Sequence, residues 1–520
     1  MDQVFFKKLL DFYKIDNNDY LLLTETPNLE TFAVGHAFSK MNEAVQLVKE
    51  VMANKGKIIV YGDYDCDGIM GTSILVKMFS YLNYVVDYYV PNRYKDGYGI
   101  TLQKAKEFVI SDYDLVITID NGITAFEAIS YLKENNVKVL ILDHHERGET
   151  LPTADVILHP FVSNFGKVGS SGGFVAFMFS HYVLGYYDKY LAVLASISLI
   201  SDMMPLLDYN RKLFRCVRDF YHIGEFKCID LLTDSASFDE KVVGMKIAPK
   251  INSIGRLIGD ESINELVRFF TTDDEEFLLN YFSYICEMNE KRKELSKEAV
   301  NCLEVNPKDE AIVLKLDIKE GLLGLVANSV VGKYSRPVII FTEDSNGDIL
   351  KGSARAMEGF NIVKTFQSLN KYMLTYGGHA LAGGCSIKKE DFDSFKKDFI
   401  QLVHDSSFQK VEHHYIPLSL TEITKDNVEL LGTFSPFGEN WTEPRFILKR
   451  IKVDSLTYSH DKKHILASLG NETRLVGFNI SRDDLSNYTY VDLVGTMSIN
   501  VYRGFVNASF FIEMFNNSQK

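Results

Sequence analysis

The chain has 520 residues, 46% of them hydrophobic and 24% charged, enough for two to four globular domains. Its start, "MDQVFFKKLLDFYKID", has no leader-like apolar run, no stretch is apolar enough to span a bilayer, and the six cysteines form no CxxC pair. These features argue against a secreted disulfide framework, a membrane protein and a structural zinc site, and set the expectation of a cytoplasmic chain. The net charge of −14 excludes no partner. A negative protein can carry a positive channel, and a carboxylate-rich metal site itself adds negative charge.

From about residue 57 to 160, the β-branched runs "KIIVYG", "VVDYYVP", "DLVITID", "KVLILD" and "ADVILHP" alternate with amphipathic segments. Near-continuous apolar strands separated by helices predict a doubly wound parallel sheet. Residues 193 to 300 read as mainly helical. A second α/β region follows from 310 to about 403, with "EAIVLKLD", "RPVIIFT" and two glycine-rich stretches, "KGSARAMEGFN" and "YGGHALAGGCS". After "HDSSFQKVEHH" a series of short strands predicts a small closed barrel of OB type. The expected domains are 1–205 (N-terminal segment plus catalytic α/β domain), 206–305 (helical connector), 306–405 (second α/β domain) and 406–520 (barrel).

The stretch "YGDYDCDGIMGT" places Asp63, Asp65 and Asp67 at a strand end. A calcium loop starting at Asp63 requires a glutamate at its twelfth position, which is Ile74, and a helix before it, where a strand is predicted. Three further acid- or imidazole-bearing ends share the pattern: Asp120 in "ITIDNG", Asp143, His144 and His145 in "LILDHHE", and Asp202 in "LISDMM". Singly, these also read as a turn, a satisfied histidine and a helix cap. Together they converge on the carboxyl edge of a parallel sheet, where ligands gather. Carboxylates with one or two imidazoles suit Mn²⁺ or Mg²⁺. Five or more ligands exceed the needs of one ion, so two ions about 3.5–4 Å apart are expected. Strand alternation points Cys66 away from Asp65 and Asp67, into packing.

The stretches "GDYDCDG", "IDNG", "DHH" and "SDMMPL", in that order, resemble the motifs of the DHH phosphoesterase superfamily. "YYVPNRYKDGYGI", "APKINSIGRL", "KGSARA", "GGHALAGG", "SPFGENWTEPRF" and the terminal barrel are similar to the RecJ single-strand-specific exonucleases over nearly the whole chain. The resemblance implies a DHH catalytic domain, a DHH-associated domain and an OB-type barrel. It implies metal ligation by Asp65, Asp67, Asp120, His144 and Asp202, with Asp63 a further acidic member and Asp120 bridging the two ions. His145 then contacts or protonates the scissile phosphate region, Asp143 orients the histidines, and His379 reaches the reaction centre.

Arg93, Arg256, Ser353 and Arg355 resemble that family's 5′-phosphate pocket, with Gly377 and Gly378 letting backbone approach the phosphate and Tyr98 stacking on a terminal base. The implied activity is 5′→3′ exonucleolytic hydrolysis of single-stranded DNA to nucleotide monophosphates by a monomer, in repair and recombination. A single-stranded-DNA-binding protein and a helicase are the implied partners. The alternatives are a DHH phosphodiesterase acting on nanoRNA or cyclic dinucleotides, and a non-catalytic DNA-binding scaffold. The connector and second α/β domain are expected to close a channel too narrow for duplex, with the barrel feeding in the strand; Lys462, Lys463 and His464 lie in a barrel loop where strand contacts, or only a solvated basic turn, are expected. Two departures stand out. Tyr61 occupies a position where many members have histidine, and "IKEGLLGLVA" lacks the family's usual Trp-His pair.

Overall fold

The computed structural model describes residues 2–33, 37–233, 235, 237–259, 262–306, 309–344, 347–406, 414–469, 473–502 and 505–518. Two compact units share the chain. One combines residues 33–202 and 220–412, and the other residues 1–32, 203–219 and 413–520.

In the larger unit, strands β1 (Ile58–Tyr61), β2 (Asp87–Tyr89), β3 (Leu115–Ile119), β4 (Lys138–Leu142) and β5 (Val156–Leu158) form an all-parallel sheet in the order β2-β1-β3-β4-β5. β1, β3 and β5 are wholly buried, which is why their sequences show no polar alternation. The order reverses between β1 and β3, the switch point at which an open sheet leaves a crevice beyond its carboxyl ends. Helices Cys66–Tyr81, Gly172–Leu184 and Lys189–Ser201 pack together, and each is buried along most of its length. Gly172–Leu184 and Lys189–Ser201 are apolar on nearly every face, as such central helices must be.

The connector includes Ala248–Leu257 and the 27-residue helix Glu275–Asn301. Beyond it, β6 (Ile312–Lys315), β7 (Val338–Glu343), β8 (Ile349–Arg355), β9 (Met373–Gly378) and β10 (Ala382–Lys388) form a mixed sheet in the order β6-β7-β8-β10-β9. β6 and β7 pair in parallel, and the remaining pairs are antiparallel. Both glycine-rich stretches of this region fall on strands, "KGSAR" within β8 and "GG" at the end of β9.

In the smaller unit, β11 (Ile416–Leu418), β12 (Phe446–Lys452), β13 (Ile465–Leu469), β14 (Thr473–Gly477), β15 (Tyr490–Tyr502) and β16 (Phe505–Asn517) run in the order β11-β12-β15-β16-β14-β13. Helix Gln3–Tyr13, capped by the Asp2 side chain accepting from the amides of Val4 and Phe5, inserts Phe5 and Leu9 into this unit's core. Phe5 stacks on Phe446 with ring centroids 5.8 Å apart. The first 32 residues thus belong to the compact unit of the barrel, whereas the sequence reading grouped them with the catalytic domain.

Candidate metal centre and the arginine pocket beside it

β1 ends at Tyr61, and Asp65 caps the helix that begins at Cys66 by accepting from the amide of Gly68 at 3.1 Å. Asp63 therefore lies in the turn and Asp67 in the first helical turn. Cys66 is buried as expected, but through the helix start and not through strand alternation. Its amide donates to Asn252 Oδ1 at 2.9 Å, and burial pushes its thiol well up.

Asp67 is fixed from three directions. The amides of Gly172 and Gly173 donate to its two carboxylate oxygens at 2.7 Å each, and the Ser198 hydroxyl donates at 2.6 Å. The first two lie at the N-terminus of Gly172–Leu184, where unpaired amides and the helix dipole favour an anion. Gly173 is required by close approach: a Cβ there would stand 2.5 Å from Ser198 Oγ and 3.3 Å from Asp67 Oδ1.

His144 is the centre of the cluster. Its Nε2 lies 3.0 Å from Asp120 Oδ1 and 3.4 Å from both Asp67 Oδ2 and Asp202 Oδ2. Three donor groups interlock: Asp63, Asp65 and Asp120; Asp120, His144 and His145; and Asp67, His144 and Asp202. Asp120 and His144 each belong to two of them. Burial drives His144 down to about 3, so its imidazole is neutral, the form that ligates a cation. Burial, reinforced by neighbouring carboxylates, pushes Asp63, Asp120 and Asp202 well above the usual carboxylate range and Asp67 to about 6. Asp63 Oδ1 is buried without a hydrogen-bond partner among the described residues. A buried carboxylate oxygen left unpaired beside four other carboxylates fits a bound divalent cation.

Asp143 serves the histidines. Its Oδ1 accepts from the amide of His144 at 2.7 Å and lies 2.9 Å from His145 Nδ1, while Oδ2 accepts from the amide of Ile123 at 2.9 Å. Burial opposes its charge, but the contacts with His145 hold it down at about 2. Burial likewise opposes a charge on His145, and Asp143 outweighs it, raising the imidazole to about 9. The Tyr98 hydroxyl lies 2.9 Å from His145 Nε2.

A group of arginines lies within reach of the acid cluster's field. The Arg93 guanidinium lies 4.2 Å from the centre of the Tyr64 ring, and its Nε is buried without a partner among the described residues. Burial pushes Arg256 down to about 10, helped by the like charges of Arg93, Arg292 and Arg355. Arg355 reaches Ser353 Oγ at 3.2 Å and the Ala354 carbonyl at 2.7 Å. Gly324, in the first turn of helix Leu323–Tyr334, lies against both: a Cβ there would be 2.8 Å from the Arg355 guanidinium.

The sequence-predicted ligands Asp63, Asp65, Asp67, Asp120, His144 and Asp202 are thus brought together with His145 and Asp143, and the field of Asp65 reaches Arg256. Gly377 and Gly378 close β9 opposite Gly384 and Gly383 of β10, with Gly378 at φ +133°. His379 is not drawn into the cluster. Its side chain is 79% exposed, with Glu146 its nearest charged partner at 3.9 Å. Ser198, Gly172 and Gly173 escaped the sequence reading although "SSGG" announces a helix start, and Arg292 escaped it with nothing to set it apart from its charged neighbours.

The family model for the DHH family N-terminal domain matches residues 57–200, that for the DHHA1 domain residues 308–405, and that for the RecJ OB domain residues 416–514. The chain is 29% identical to the single-stranded-DNA-specific exonuclease RecJ of Bacillus subtilis over 485 residues, covering 88% of this chain and 61% of that one. It is also 29% identical to the Haemophilus influenzae exonuclease of the same name over 512 residues, covering 89% and 88%. The crystal structure of Thermus thermophilus RecJ in complex with Mn²⁺ superposes with a TM-score of 0.83 at 24% identity, covering 100% of this chain and 79% of that one. The chain therefore matches, in order, the models of a DHH domain, a DHHA1 domain and a RecJ OB domain.

Proposed function

We propose that this chain is a metal-dependent exonuclease that shortens single-stranded DNA from its 5′ end, releasing nucleoside monophosphates. The observation that carries it is an acid cluster short of cations with, in reach of its field, an arginine group short of anions. The relatives named for that activity support it.

Asp63, Asp65, Asp67, Asp120, His144 and Asp202 would hold two divalent ions, Mn²⁺ or Mg²⁺. When bound, such ions withdraw charge from the phosphate oxygens and from the attacking water. Arg93, Arg256 and Arg355, with Ser353, grip the 5′-terminal phosphate, for which the planar guanidinium fork is suited. Gly377 and Gly378 let the β9 backbone approach that end, with the exposed His379 directly after them. His145, held by Asp143, stands at the scissile phosphate. Water adds to phosphorus and releases a proton to solvent, the bond from phosphorus to the 3′-oxygen breaks, that oxygen takes up the proton His145 supplies, and solvent returns a proton to the imidazole. Terminal cleavage of this kind fits a cytoplasmic monomer working with a helicase and a single-stranded-DNA-binding protein.

A 5′-phosphorylated, 3′-labelled single strand incubated with Mn²⁺ should shorten stepwise from its 5′ end, while blunt duplex stays intact. Dinucleotides cleaved well beside an untouched long strand would replace this reading with that of a small-substrate phosphodiesterase.

A further inference from the structure

Tyr98 was expected to meet the substrate with the face of its ring. Its geometry gives the hydroxyl a different task. The hydroxyl lies 2.9 Å from Nε2 of His145, and the two rings meet edge-on, centroids 5.6 Å apart at 68°. Nδ1 of the same imidazole lies 2.9 Å from Asp143 Oδ1. His145 is therefore met at both ring nitrogens, at Nδ1 by Asp143 with Asp120 at 3.7 Å, and at Nε2 by Tyr98 alone.

The segment bearing Tyr98 is itself secured. Asp96 Oδ2 accepts from the Tyr89 hydroxyl and from the amide of Asn92, both at 2.8 Å. On the far side of Tyr98, the Gly99 carbonyl accepts from the buried Tyr61 hydroxyl at 3.0 Å. Gly97 and Gly99 both have positive φ, at +80° and +70°, so Tyr98 sits on a short arch whose shape depends on such anchors. Tyr61, a departure from the resembled family's pattern, thus has a definite task in this chain.

We propose that Tyr98 is a positioning residue that aligns His145 for cleavage through its hydroxyl, and that Tyr61 acts on the same alignment by anchoring the arch at Gly99. This rests on the exonuclease reading above. A side chain that fixes the orientation of a reacting group acts on the rate of the chemical step more than on ground-state binding.

The test compares Tyr98→Phe, Tyr98→Leu, Tyr61→Phe and the Tyr61→Phe/Tyr98→Phe double variant on a 5′-phosphorylated single strand with Mn²⁺. Tyr98→Phe keeps the ring and should lower kcat about 10- to 100-fold with KM nearly unchanged, the range seen for residues that orient a neighbouring group. Tyr98→Leu should be no worse. Tyr61→Phe should cost less, and the double variant should lose no more than Tyr98→Phe alone, because both act through one contact. Wild-type kcat in Tyr98→Phe, with a loss confined to Tyr98→Leu, would mean stacking and would overturn the proposal.

A second measurement does not depend on turnover. In protein with ¹⁵N-labelled histidine, assigned through His145→Gln, the Nε2 resonance of His145 should move in Tyr98→Phe. An unmoved resonance overturns the proposal whatever the kinetics. A moved resonance in an enzyme that cuts no single strand overturns the exonuclease reading and leaves the contact standing.

Discussion

The acid cluster and the arginine pocket are opposites built on the same plan. In the first, five aspartates cluster with two histidines, and no lysine or arginine forms an ion pair with them among the described residues. In the second, Arg93, Arg256, Arg292 and Arg355 repel one another with no carboxylate closing an ion pair among the described residues. Burial works against charge in both, raising the carboxyls and lowering the guanidiniums. The two regions feel one another, Arg93 acting on Asp63 and Asp65 on Arg256, yet neither neutralises the other. Charges desolvated without a partner cost several kcal/mol each, so a fold that keeps two such sets apart keeps each available for a ligand of opposite sign. Removing residues from the two sides should accordingly fail in different ways.

The largest effect is expected from Asp120→Ala, which breaks two of the three donor groups at once. It should lower kcat on a single strand at least ~10³-fold, about 4 kcal/mol of barrier, in single-turnover assays with Mn²⁺. Arg256→Met should instead raise KM about 10- to 100-fold for a 5′-phosphorylated strand and leave a 5′-hydroxyl strand nearly untouched. If both variants lose kcat alike, the division of labour between the two regions is wrong.

Metal removal should expose the next difference, as a pH trend. Asp67 at about 6, and Asp63, Asp120 and Asp202 held well above the usual carboxylate range by burial, keep protons in the folded state that the unfolded chain releases near pH 4. Their contribution to stability is fully present below that value and is lost as pH rises through the folded-state pKa values. His145, at about 9, adds the same sign between its ordinary value and pH 9, whereas His144, held down at about 3, opposes it below its own ordinary value and is outweighed by the four carboxyls and His145 together. Chelated protein should therefore be less stable at pH 8 than at pH 5, by roughly 1–3 kcal/mol for a group shifted by one or two units. Mn²⁺ replaces the protons and should stabilise far more at pH 8 than at pH 5, which thermal melts with and without EDTA would show.

How much of this was legible depended on how far apart in sequence the partners lie. Asp65, Asp67, Asp120 and His144 stand at predicted strand and helix ends of one parallel sheet, and the topology of such sheets is regular enough to bring those ends together. What holds Asp67 was not legible, since Gly172 and Gly173 are 105 and 106 residues away and Ser198 is 131. Strand alternation buried Cys66 for the wrong reason, because Asp65 already caps the helix. Phe5 and Leu9 mark an amphipathic helix, but their spacing does not say which core they fill, and they fill that of the barrel. Arg292 sits in "NEKRKELSKE", where charge at every turn reads as a solvated face.

Arg292 offers the smallest and most discriminating prediction. It projects from helix Glu275–Asn301 with one guanidinium nitrogen donating to Asn289 Oδ1 at 2.9 Å, and its Nε has no partner among the described residues. Burial lowers it, and its charge is among those that lower Arg256. If the pocket were a finished part of the fold, Arg292→Met would destabilise it by removing a packed side chain. If the pocket awaits an anion, the same change relieves repulsion among four cations. The free protein should then melt at the same temperature or slightly higher, while affinity for a 5′-phosphorylated end falls about two- to five-fold, the worth of one partly exposed charge. Inorganic phosphate should raise the melting temperature of the wild type more than that of the variant. A variant that melts lower and responds to phosphate as the wild type does would place Arg292 with the scaffold and reduce the pocket to three arginines.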